Sequence, residues 1–282
     1  MRYSKSPLNS NDQKERGKGE LAAPIITLTT DFGIRDYFVG SLKGVLLQRV
    51  PNARLIDITH ETPRHDIISA AFVVNEIYRT FPQGAIHLVV VDPGVGTERK
   101  KLIVSKEGHL FVAPDNGVLT YLFKEEGSRV YEVVDTRHLT FSNSPTFAGR
   151  DHFAPIVASL AVGILPEALG REISDYQCIK GLYPERKGSD LVGKIVYFDH
   201  FGNAITNLTE SVLKKSARLD VRIKGYSFRG LKRNYAEGEK EEGNLIMNSS
   251  GHLEIFIPKK SAKEALKLNL LDDLLVSHYM DH

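Results

Sequence analysis

Tryptophan is absent from the 282 residues, cysteine occurs once (Cys178) and methionine three times. A lone cysteine excludes an internal disulfide and any cysteine-built zinc site, and it points to a reducing compartment, most simply the cytoplasm. No run approaches the roughly 18 apolar residues of a membrane-crossing helix, so no membrane partner is expected. A surplus of one charge is missing too, with 37 Lys and Arg against 35 Asp and Glu. Five of those bases and three of the acids fall in residues 1–24, leaving a body balanced at 32 of each. Such a body lacks the clustered cations with which nucleic-acid binders displace counterions, so nucleic acid is not an expected partner. Residues 1–24 have no apolar core of the signal-peptide kind; polar and rich in Gly, Ser and Lys, they read as a disordered tail. Phosphate-loop and dinucleotide glycine patterns are lacking. Ten histidines show no metal-ligand spacing, and no metal or other cofactor is expected.

What the chain does have is alternation. Residues 25–29, 54–58, 85–91, 101–104, 110–113 and 130–134 are β-branched, apolar runs, and 37–49 and 153–162 suit helices. Ile67, Ala71, Val74, Tyr78 and Phe81 recur at helical spacing, which predicts a third helix. Strand–helix alternation implies an α/β layered domain with a mainly parallel sheet over residues 25–182. Near 180–190 glycine, proline and charge crowd together as a linker. Residues 192–198, 204–208, 219–223 and 253–257 then read as short strands of a mostly β, barrel-like or sandwich domain spanning 188–282. Ser261-Ala-Lys-Glu264 has capping-box spacing and starts one helix.

Candidate chemistry sits where strands end. Asp31, Asp92 and Asp199 each follow an apolar run, the place where open α/β sheets put ligands, although each also fits as a simple cap. In Asp92-Pro-Gly-Val-Gly-Thr-Glu-Arg99 two glycines permit close backbone approach, and Arg99 is placed to fold back on Asp92. Asp115 and Asn116 in Pro114-Asp-Asn-Gly117 read as a turn, and Asp151 as a helix N-cap. Asp199-His-Phe-Gly-Asn203 sets an aromatic face and an amide beside a carboxylate, suited to clamping a base or an amino acid, or else forms a β-turn. His60 and His65 read as loop-packing residues.

Taken in order, Thr29-Thr-Asp-Phe-Gly33, Asp57-Ile-Thr-His60, Val91-Asp-Pro-Gly-Val-Gly-Thr-Glu-Arg99, Pro114-Asp-Asn-Gly117, Thr146-Phe-Ala-Gly-Arg-Asp151, Phe201-Gly-Asn203 and Ser249-x-x-x-Leu-Glu254 form a pattern. It resembles the S-adenosyl-L-methionine hydroxide adenosyltransferases, hydrolase relatives of the fluorinase and chlorinase, from about residue 25 to 268. The resemblance implies an α/β domain followed by a β-barrel-like domain, and a homotrimer with ligand held between the N-terminal domain of one subunit and the C-terminal domain of the next. It implies attack of water or hydroxide at C5′ of S-adenosylmethionine, yielding adenosine and methionine. Asp31 would bind the ribose hydroxyls, Asp92 and Arg99 would position the water, and Asn203 would bind the methionine or nucleoside portion with Phe201 alongside. Ser249, Glu254 and Lys259 would lie around the adenine.

One departure bears on the chemistry. The family motif reads Thr-Phe-His-Gly-Arg-Asp, and the position of its water-activating histidine is Ala148 here. Losing a general base typically costs about 10²–10⁴-fold. His152 lies four residues on, a shift that need not bring an imidazole to the same spot. Two other readings follow: a protein that binds S-adenosylmethionine or adenosine with little turnover, which Ala148 favours, and a halide-using adenosyltransferase, which the charged Asp92–Arg99 site disfavours. After Leu268 the chain also departs from the family, leaving the packing of its last strand open.

Overall fold

The computed structural model describes residues 23–278 apart from 125, 135–140, 142–145, 189 and 214–218. The tail read from residues 1–24 lies almost entirely outside the described residues.

Seven strands form the first sheet: β1 (Ile25–Thr30), β2 (Arg54–Thr59), β3 (Ile86–Val90), β4 (Lys101–Lys106), β5 (His109–Pro114), β6 (Arg129–Val133) and β7 (Gly170–Glu172), in the order β2-β1-β3-β5-β4-β6-β7. β1 pairs in parallel with β2 and β3, and β3 with β5, whereas β4 runs antiparallel to β5 and β6, and β7 antiparallel to β6. Five strands therefore point one way, with β4 and β7 reversed. Helices cover both faces, the arrangement that buries a parallel strand on both sides and selects the continuous apolar run of β3. On one face α1 (Phe38–Arg49) and α3 (Ala154–Ala161) place Leu42, Leu46 and Val157 against Ile26, Leu28 and Leu88. On the other, α2 (Ile67–Ile77) sets Ala70 and Val74 against Val89 and Phe111. Each such fully buried aliphatic side chain contributes about 1.5–3 kcal/mol.

The helical period read through Phe81 stops earlier. α2 ends at Ile77 and a single 3₁₀ turn, Tyr78–Thr80, follows, because Pro82 forbids helical conformation at the residue before it. β3 and β5 also bring two histidines together: His87 Nδ1 meets Thr27 Oγ1 at 2.8 Å and His87 Nε2 meets His109 Nδ1 at 3.2 Å, both rings buried among Tyr78 and Phe111.

The second sheet is antiparallel. It comprises β8 (Glu185–Lys187), β9 (Asp190–Phe198), β10 (Ala204–Thr209), β11 (Leu219–Ile223), β12 (Tyr226–Arg229), β13 (Asn244–Met247), β14 (His252–Phe256) and β15 (Asp273–His278). The order is β12-β11-β15-β9-β10-β14-β13, with β8 added on β9. The outer strands β12 and β13 touch, so the sheet nearly closes into a barrel around Ile195, Leu219, Val221, Leu253 and Ile255. β8 occupies the stretch that reads as a linker, and β15 forms despite the sequence departure before it. Ser261 accepts from the Glu264 N–H at 3.1 Å and caps a single helical turn, Ala262–Ala265. α2 joins the sheets: Phe72 packs on Val196 and Ile205 and stacks on Tyr197 with ring centroids 5.1 Å apart.

Candidate active site

The chain leaves β1 toward β2 on one side and returns to place β3 on the other, so the crevice beyond the carboxyl ends of β1 and β3 is the topological switch point of the sheet, where open α/β folds bind ligands. Thr30 and Val90 are the last paired residues of the two strands, and Asp31 and Asp92 follow directly. Asp31 accepts the His65 N–H at 3.0 Å. Behind it a polar chain runs from Lys43 to Asp57 (2.6 Å), from Asp57 to His60 Nε2 (3.1 Å), and from His60 Nδ1 to Thr30 Oγ1 (2.8 Å), fixing the end of β1.

Arg99 folds back and pairs with Asp92 Oδ1, as the loop spacing predicts. Gly94 makes this possible: a Cβ there would stand 1.1 Å from Arg99 Nη2. The Gly94 N–H also donates to Asp92 Oδ1 at 3.2 Å. Burial pushes the Asp92 carboxyl above its ordinary range; Arg99 and the Gly94 N–H oppose this, and the negative charge of Asp31 adds to it. The Pro114–Gly117 segment is a brace, with Asn116 Nδ2 donating to the Val91 carbonyl at 2.8 Å and Asp115 accepting from the Gln177 N–H at 2.7 Å.

Over this crevice lies a π-helical turn, Gly149–Phe153, leading into α3. Gly149 lets it settle: its Cβ position is 3.0 Å from Phe32 and 3.5 Å from Val90. Asp151, expected as an N-cap, instead sits fully buried within the turn, held by Arg150 Nε at 2.6 Å and Nη2 at 2.9 Å. A buried carboxylate is stable only when paired, and its neighbour supplies the pair. The turn brings Ala148 and His152 to the wall of one cavity of about 190 Å³, together with Asp92, Thr97, Arg99 and Lys101.

In the barrel the turn 199–203 organises a second region. Asp199 accepts from the Phe201 N–H (2.9 Å), the Asn203 N–H (2.8 Å) and Asn203 Nδ2 (2.9 Å), leaving the Phe201 ring 74% exposed. Asp199 and Phe201 stand between two cavities. One, of about 810 Å³, extends to Asp66 and Tyr197; the other, of about 490 Å³, is lined by Asn203, Tyr235, Phe256 and Lys259. Glu254 is buried beneath Tyr235, accepting from its hydroxyl at 2.8 Å and from Asn248 Nδ2 at 3.2 Å. Ser249 is exposed on the turn before β14 and lines none of these cavities.

The predicted residues thus gather in two groups. Asp92, Arg99 and Ala148 line one cavity at the crevice of the first sheet, with Asp31 at the end of β1 outside its lining; Phe201, Asn203 and Lys259 line a different cavity in the barrel, with Glu254 behind Tyr235. Sequence reasoning does not single out Tyr235, which no motif marks, and it leaves open whether His152, four residues past Ala148, reaches the same spot; both line cavities of these two regions. Among the described residues no group of three His, Cys, Asp or Glu is arranged to hold a metal ion, and no helix is long and apolar enough to cross a membrane.

Comparison with known proteins identifies the family. Residues 26–170 match the family described as the SAM hydroxide adenosyltransferase N-terminal domain and residues 193–275 its C-terminal domain. The (R)-S-adenosyl-L-methionine hydrolase of Thermus thermophilus is 34% identical over 85% of this chain and 94% of its own. The hydrolase of the same name from Methanocaldococcus jannaschii is 30% identical over 89% and 94%. A fluorinase from Nocardia brasiliensis is 30% identical over 68% and 73%. An uncharacterized conserved protein from Thermotoga maritima has a solved structure that superposes with a TM-score of 0.80 at 32% identity, covering 90% of this chain and all of its own.

Proposed function

Since the chain belongs to the SAM hydroxide adenosyltransferase family, we propose that it hydrolyses S-adenosyl-L-methionine to adenosine and L-methionine. The observation that carries the reading is the Asp92–Arg99 pair in the wall of a small cavity at the switch point of the sheet. Attack at C5′ expels a neutral thioether from a sulfonium, so the leaving group needs no acid. The protein's task is to hold a water in line, and such positioning supplies roughly 7–11 kcal/mol. Asp92, kept oriented by Arg99, is the group that orients this water, and its negative charge favours a transition state that spreads positive charge from sulfur. Asp31, one strand away, accepts the ribose hydroxyls.

Asn203 and Phe201 hold the methionine or nucleoside portion. Lys259 and Tyr235 face the adenine, with Glu254 acting by fixing Tyr235; Ser249 sits outside this wall. Because the two groups of residues line different cavities, the complete site is proposed to form in a cytoplasmic homotrimer, where the barrel turn of one subunit covers the crevice of the next. The exposed side chains of Tyr37 and Phe201 suit such a contact. The hydrolase relatives' names specify the R compound, and the same substrate is proposed here.

The test is incubation with each sulfonium epimer of S-adenosylmethionine, with and without halide, followed by chromatography. Adenosine and methionine formed without halide support the hydrolase. Binding without product would replace it by a ligand-holding protein, and a 5′-halo-5′-deoxyadenosine by an adenosyltransferase.

A further inference from the structure

We propose that His152 is the proton acceptor for the attacking water, supplying from one turn downstream the imidazole that the family motif carries at position 148. The inference rests on the hydrolase reading above and concerns how this chain works with an alanine there.

Residues four apart on a helical turn lie one above the other on the same face. Ala148 precedes the π turn and His152 lies within it, and both face the cavity that Asp92 and Arg99 line. The cavity, about 190 Å³, holds several waters at roughly 30 Å³ each.

Among the described residues, no hydrogen bond or ion pair engages the His152 side chain elsewhere. Its Nδ1 is closed to solvent and has no hydrogen-bond partner among the described residues, so the half-buried ring meets the cavity through its other atoms. The charges around the ring are Lys101 from β4, Asp92 and Arg99 from the loop after β3, and Asp151 and Arg150 on its own turn. Burial and the Lys101 charge hold the ring below the ordinary histidine range against the opposing pull of Asp151, so it is neutral and able to accept a proton near pH 7.

In the step itself, the water oxygen bonds to C5′ as the C5′–S bond breaks and its electron pair passes to sulfur, giving neutral methionine. One water proton goes to the His152 ring and then to solvent, and the other stays on the 5′-hydroxyl of adenosine. Substrate cation plus water thus yields two neutral products and one proton.

The experiment compares the unaltered protein with His152→Ala, His152→Asn and the double variant His152→Ala/Ala148→His, measuring kcat, KM and melting temperature. The expected result is a fall in kcat of about 10²–10⁴-fold in both single variants with KM changed less than about threefold, and recovery to within about tenfold in the double variant. Asparagine keeps a planar hydrogen-bonding group near the Nδ1 position but not basicity, so a merely structural role would leave His152→Asn active and overturn the proposal. Retention of kcat within about threefold in His152→Ala would overturn it as well. An unaltered protein that binds S-adenosylmethionine in calorimetry yet makes no adenosine would overturn it while leaving the site in place; absence of both binding and turnover would instead remove the hydrolase reading on which it rests.

Discussion

Gly94 illustrates how far the proposed chemistry depends on single residues. A methyl group there would occupy the position of the Arg99 guanidinium, the mobile end of a flexible side chain, so the fold can yield by swinging Arg99 away. Gly94→Ala is therefore expected to keep its melting temperature within a few degrees while kcat falls by about 10²-fold, as thermal unfolding and the adenosine assay would reveal. Arg99 has a second effect through charge. It holds down an Asp92 carboxyl that burial and Asp31 push up. Arg99→Met should let that carboxyl rise further. The acid limb of the pH–kcat profile should then move to higher pH; an unmoved limb would show that Asp92 does not control it. The Asp92–Arg99 contact was legible in the sequence because the six residues between the partners include two glycines. The Glu254–Tyr235 contact was not, because its partners come from segments that only barrel closure brings together.

Among the elements, β3 and β5 carry a buried histidine pair whose cost depends on acidity. His87 is pushed down to about 3 by burial and by the neighbouring His109. An unfolded chain protonates this ring near pH 6.5 and the folded chain does not, so stability is full above that pH. It is lost as pH falls toward 3, by about 1.4 kcal/mol per unit. Urea midpoints measured from pH 7 to pH 4.5 should fall accordingly, with a flatter slope in His87→Gln. In the first sheet β1 and β3 were legible because two-sided burial demands unbroken apolar runs, whereas β7, three residues long and mostly exposed, was not read at all. The barrel strands β12, β13 and β15 were harder to read. Tyr226–Arg229 is exposed at three of its four positions, and the sequence around Asp272 and Asp273 looks like a turn until β15 is seen paired to both β9 and β11. The π turn was read as a plain helix start since its extra residue per turn leaves no compositional mark.

For the molecule as a whole, a site shared between subunits makes a quantitative prediction. Asp92→Asn and Asn203→Ala would each inactivate a homotrimer by spoiling one side of every site. When the two variants are dissociated, mixed equally and reassembled, random assortment gives roughly a quarter of the sites an intact side from each subunit. Recovery near a quarter of full activity is expected, and none would be seen if each chain formed its site alone. The packing of α2 bears on the same point. One helix belongs to the core of the first sheet through Val74 and to the barrel contact through Phe72. Such a double anchor removes the hinge by which two-domain enzymes usually swallow a substrate. Ligand would meet a slot already at its working width, its exchange timed by short segments such as 92–99 and 199–203, and small-angle scattering curves with and without ligand should superimpose.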